Sequence, residues 1–141
     1  MKKNNLTVKI FVLLALFAIT TFAGEKEVTD VVNQYLTTAK GKEVKAIDKI
    51  VSENADFIKI NNIINKRENH NKSDFLDIVK SGTFCNWASA TNVKLVDEQE
   101  NIAVAYVEYE SEKLVQNEYI TLVLTDGNWE IVNSVCSLSK K

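Results

Sequence analysis

The chain has 141 residues, with 17 basic and 19 acidic side chains, a net charge of −2 and no proline. That length supports a single domain with a hydrophobic core of its own. The acidic balance excludes a nucleic-acid binder, which needs a basic stripe to meet the phosphates.

Residues 1–23 read as a secretory signal. Lys2, Lys3 and Lys9 make a basic start, and 10–22 is an apolar run broken only by threonines near its end. Thr21 and Ala23 are the small residues a cut before Gly24 requires. The run is short for a membrane span, which takes roughly 20 residues. No cysteine stands near the cut, as a lipid anchor would need. The expectation is one exported domain, 24–141, periplasmic or secreted from a bacterium, with no stable membrane span. Without the three signal lysines it has 14 basic against 19 acidic residues, a net charge of −5.

Val28, Val31, Val32, Tyr35, Leu36 and Ala39 recur at helical spacing and predict an amphipathic helix over 25–40, stopped at Gly41. Val44, Ile47, Ile50 and Val51 mark a shorter second helix. A strand over 55–61, centred on Phe57 and Ile58, turns at Asn61-Asn62 into a partner over 63–69. Asn71 or Ser73 caps a third helix carrying Phe75, Leu76, Ile78 and Val79 and ending at Gly82. Four strand-like runs follow, 88–96, 102–111, 116–125 and 129–138.

Asp126-Gly127 between the last two runs is a type I′ hairpin signal. A two-residue loop pairs Leu124 with Trp129, Leu122 with Ile131, Ile120 with Asn133 and Glu118 with Val135. Strict alternation then gives an apolar face of Ile120, Leu122, Leu124, Trp129, Ile131 and Val135, with Glu118 and Asn133 the polar members. The opposite face carries Tyr119, Thr121, Val123, Glu130, Val132, Ser134 and Cys136.

This order of elements resembles the nuclear transport factor 2-like superfamily, the cone-shaped fold of ketosteroid isomerases, polyketide cyclases and scytalone dehydratases. It is most similar to the small exported members that carry a lumazine-binding label. The resemblance rests on three stretches: Val32-Asn33-Gln34-Tyr35-Leu36, Ala55-Asp56-Phe57, and the segment from Ile120 to Asn133 with its Thr-Asp-Gly-Asn-Trp turn. It implies an α+β fold, a curved antiparallel sheet of about six strands wrapped around three helices. A pocket between the layers is lined by the apolar face of the last hairpin, and the convex face is a homodimer surface. It also separates the third strand from the last, which opposes a bond between Cys85 and Cys136. Those two cysteines otherwise stand as a disulfide or as two thiols in an oxidising compartment.

The ligand-binding residues expected on this basis are Tyr35, Phe57, Glu118, Trp129 and Asn133. Tyr35 and Glu118 fall where ketosteroid isomerases place an oxyanion-holding tyrosine and acid, but the base position falls near Lys59, and an ammonium cannot abstract a proton. No catalytic residue, metal ligand set or cofactor is assigned. There is no glycine-rich phosphate loop or nucleophile elbow, and the single histidine, His70, reads as a solvated loop residue. The expected function is non-catalytic binding of a small apolar or aromatic molecule. The alternatives are a lyase or isomerase using Tyr35 and Glu118, or an interaction protein whose cavity is filled by its own side chains.

Overall fold

The computed structural model describes residues 23–141. The predicted signal segment therefore lies outside the described residues, apart from Ala23. Three helices, α1 (Ala23–Lys40), α2 (Val44–Asp48) and α3 (Lys72–Ser81), accompany six strands. The strands are β1 (Val51–Asn61), β2 (Lys66–His70), β3 (Ala90–Gln99), β4 (Ile102–Glu110), β5 (Leu114–Thr125) and β6 (Asn128–Lys140). The curved, unclosed sheet has the order β2-β1-β6-β5-β4-β3, as the α+β reading required. One pair departs from the antiparallel expectation: β6 returns alongside β1 in parallel. Because β6 is thus central, its side chains reach both the helices and the first hairpin.

The helices form where the pattern places them. Val28, Val32, Tyr35, Leu36 and Ala39 are all buried on one face of α1, which packs over β3, β4 and β6. Asn71, not Ser73, caps α3. Its side chain accepts from the Asp74 amide at 2.9 Å while Asp74 accepts from the Asn71 amide at 3.3 Å, a reciprocal capping box. Gly82 closes α3 in the left-handed conformation, φ 74°.

Most boundaries fall within about three residues of expectation, and three departures bear on the site. The second helix stops at Asp48, and Val51 instead opens β1, four residues earlier than predicted. The turn after β1 runs through Ile63 and Ile64 and ends at Asn65, φ 51°, so β2 begins only at Lys66. The two isoleucines are exposed there rather than paired. Cys85 sits in a turn ahead of β3, in the left-handed region at φ 42°, rather than at the start of a strand.

The register of the last hairpin is the difference that matters most. Thr125–Asn128, Leu124–Trp129 and Leu122–Ile131 pair as predicted. The register then shifts, because Thr121 pairs with Asn133 and Val132 is the extra residue of a bulge. A bulge reverses the alternation beyond it. Ile120 therefore meets Ser134, and Glu118 meets Cys136, in place of the predicted Asn133 and Val135.

Candidate functional site

Glu118 stays on the concave face and is 3 % exposed. Three hydroxyls from three elements converge on its carboxylate. Tyr35 of α1 donates to Oε1 at 3.0 Å, Ser134 of β6 to Oε1 at 2.5 Å, and Tyr109 of β4 to Oε2 at 2.5 Å. The bulge is what delivers Ser134, and the diagonal reach across β4 and β5 delivers Tyr109, whose register partner is Gln116. Burial pushes the Glu118 carboxyl above its ordinary range, while bonds from Ser134, Tyr109 and Tyr35 pull the other way. Burial and the neighbouring Glu118 charge drive both tyrosines well above theirs, so they remain donors.

Tyr35, Glu118 and Ser134 of this cluster line the closed end of a cavity of about 340 Å³, with Tyr109 behind them, at the small end of the range of about 300–1,000 Å³ common for ligand pockets. The lining runs from buried Tyr35 and Glu118 out to exposed Thr83. Its walls are aromatic. Phe57 and Phe75 stack with centroids 4.0 Å apart, and Phe84 stands edge-on to Tyr35, Phe75 and Tyr109. Such pairs hold ring positions by quadrupole complementarity as well as by buried area. Lys59, Glu68 and His70 add a polar wall from β1 and β2.

Of the five expected binding residues, Tyr35, Phe57 and Glu118 line this cavity. Trp129 and Asn133 do not. Trp129 pairs with Leu124 near the turn, on the near side of the bulge, and is buried in the core. Asn133 has been rotated off the concave face, and its amide donates to the Asp56 carbonyl at 3.3 Å. Sequence reasoning missed Tyr109, Gln116, Ser134 and Cys136, and it placed His70 in a loop, whereas His70 ends β2 and lines the cavity.

Cys85 and Cys136 are both free thiols lining the same cavity. Burial pushes the Cys85 thiol up to about 12, helped by the Glu118 charge, and burial raises Cys136 as well. Protonated thiols at neutral pH are weak nucleophiles. Among the described residues, no group of three or more His, Cys, Asp or Glu side chains is placed to hold a metal ion. Likewise, no described helix is long and apolar enough to cross a membrane.

A layer of three helices on a six-stranded curved, unclosed sheet is the architecture of the nuclear transport factor 2-like class. Residues 23–137 match the model of the family described as "Putative lumazine-binding", and the chain belongs to that family. Similar solved structures include an NTF2-like protein of unknown function from Silicibacter pomeroyi, at 18% identity and TM-score 0.69, over 87% of this chain and 100% of that one. An NTF2-like protein of unknown function from Methylobacillus flagellatus is 20% identical with TM-score 0.65, over 86% and 96%. A ketosteroid isomerase-like protein from Erwinia carotovora atroseptica is 13% identical with TM-score 0.60, over 83% and 98%. At these identities the likeness is one of fold. No curated protein matches the chain.

Proposed function

We propose that this chain is an exported domain that binds a small, planar, partly apolar molecule without altering it. The observation that carries this reading is the cavity of about 340 Å³, which the protein's own side chains leave unfilled between aromatic walls and a buried carboxyl. Its aromatic walls suit a flat ring system, and the description of the family names lumazine, a flat bicyclic heteroaromatic. The proposed site residues are Tyr35, Phe57, Glu118 and Ser134. Export rests on the basic and apolar pattern of residues 1–23.

A second copy is the partner proposed for the convex face. Tyr119 is 52% exposed there, beside Tyr106 at 5.2 Å between ring centroids, with Ile102 exposed on the same face. An isologous contact would bury this strip.

One observation favours a second reading. His70 and Glu68 line the same cavity as Glu118, and two kinds of titratable group around one space are what proton-transfer chemistry needs. Native mass spectrometry of the protein from its own source separates the two. One intact bound molecule, on a dimer, supports the binding domain. Two bound species differing by water support a lyase, and two isomers of one mass, separated by chromatography of the released ligand, support an isomerase. A protein that emerges empty, and whose Trp87 emission is unmoved by lumazine and other flat bicyclic compounds, contradicts the pocket assignment.

A further inference from the structure

Gln116 is 4% exposed and lines the cavity two residues before Glu118 on the same face of β5. Its Nε2 donates to Cys85 Sγ at 3.2 Å, while its Oε1 is fully buried with no hydrogen-bond partner. A buried amide oxygen left unpaired is destabilising, so a donor brought by a ligand would relieve it. Glu118 lies beside it. A carboxylate accepts about four hydrogen bonds, and the three hydroxyls occupy two sites on Oε1 and one on Oε2. The Tyr35 and Ser134 hydroxyls spend their protons on Glu118, so toward the cavity they present lone pairs. Apart from the weakly donating thiols of Cys85 and Cys136, the polar groups of the closed end are thus acceptors: an amide oxygen, a carboxylate oxygen and two hydroxyl oxygens. The lysine and histidine of the lining stand on the β1–β2 wall.

We infer that the closed end of the cavity recognises the hydrogen-bond-donating edge of a flat heteroaromatic ligand, with Gln116 Oε1 and Glu118 Oε2 as the accepting pair. The ligand class is a fused ring system carrying ring N–H groups, or an amino group beside them. This is opposite in polarity to a site that donates hydrogen bonds to a ligand oxygen. It rests on the binding-domain reading and adds which end of the ligand enters first. An unpaired acceptor discriminates strongly, because a ligand lacking the donor leaves it buried and unsatisfied.

The test is isothermal titration calorimetry of the full domain with two probes of the same outline. 2-Aminobenzimidazole presents N–H donors along one edge, whereas 2-methylbenzoxazole presents acceptors only. The expected result is binding of the first roughly 10- to 100-fold more tightly than the second, the range that one or two hydrogen bonds to buried acceptors supply. In Gln116→Met, which keeps the volume and removes the acceptor, the ratio should shrink by about tenfold. Equal binding of both probes to the wild-type chain, or a preference for 2-methylbenzoxazole, overturns the donor-edge inference and leaves the binding-domain reading standing. Failure of both probes to bind overturns the inference and the pocket together. The wild-type ratio decides the matter even if Gln116→Met does not fold.

Discussion

The two halves of the β5–β6 ribbon differ in composition and in job. On the turn side of Val132, the concave face is Leu122, Leu124, Trp129 and Ile131, and Leu122 and Ile131 are fully buried in the core. On the far side, the concave face is Gln116, Glu118, Ser134 and Cys136, and it lines the cavity. One ribbon therefore closes the core with its near half and builds a polar site with its far half. Each half holds one buried polar atom without a partner. Trp129 Nε1 lies among packed apolar side chains, whereas Gln116 Oε1 belongs to a residue that lines the cavity. The bulge is the junction, and it decides which β6 side chains join Glu118.

The largest effect should come from the near half. Leu122→Ala and Ile131→Ala each delete a fully buried side chain, and each should cost about 2–5 kcal/mol in urea unfolding. Losses under about 1 kcal/mol would mean that this half is not packed as described.

The far half should show itself in pH dependence. Burial holds Glu118 protonated to higher pH in the folded chain than in the unfolded one. A raised carboxyl stabilises the fold fully below its unfolded pKa, about 4.3, and that contribution is lost as pH rises through the folded value. Wild-type stability should therefore carry a component that falls with rising pH across that window, about 1.4 kcal/mol for each pH unit by which Glu118 is raised. Glu118→Gln should lack it. Denaturation midpoints of the two chains from pH 4 upward, if parallel throughout, would rule out a perturbed Glu118.

At the turn, Gly127 adopts φ 80° with open space around the position of a Cβ. Gly127→Ala should cost about 1 kcal/mol from backbone conformation alone. It should leave probe binding in the cavity unchanged, because the bulge separates turn from site. The smallest effect belongs to Asn133, half-buried and off the concave face. Asn133→Ala should change stability by about 0.5 kcal/mol or less and ligand affinity not at all. A loss of affinity in calorimetry would put Asn133 back in the site.

The legibility of these features followed local rules. The α1 face was readable because five buried residues keep helical spacing, and Asp126-Gly127 set the first four cross-strand pairs. Glu118 stood out as an acid among apolar residues of its own parity. Gln116 shares that parity, and Tyr109 continues the alternation of Ala103, Ala105 and Val107, so both were within reach of the same argument carried two residues further. Ser134 was not. A bulge at Val132 needs no glycine, and Asn133 and Ser134 are both small polar residues, so hydrophobic patterning does not distinguish the two registers. The parallel contact with β1 also shifts register opposite this region, between Val51 and Asp56, and such a long-range match leaves no local trace. His70 was missed because the isoleucines of the turn read as strand and pulled β2 too early.

The central claim is that the bulge sets Ser134, and not Asn133, against Glu118. The direct measurement is the titration of the Glu118 side-chain carboxyl by carbon-13 NMR in the wild-type chain, Ser134→Ala and Asn133→Ala. A titration above the ordinary glutamate range, moved further up by Ser134→Ala and unmoved by Asn133→Ala, is the predicted result. A Glu118 that titrates as in a free peptide, or that responds to Asn133→Ala and not to Ser134→Ala, would contradict the account.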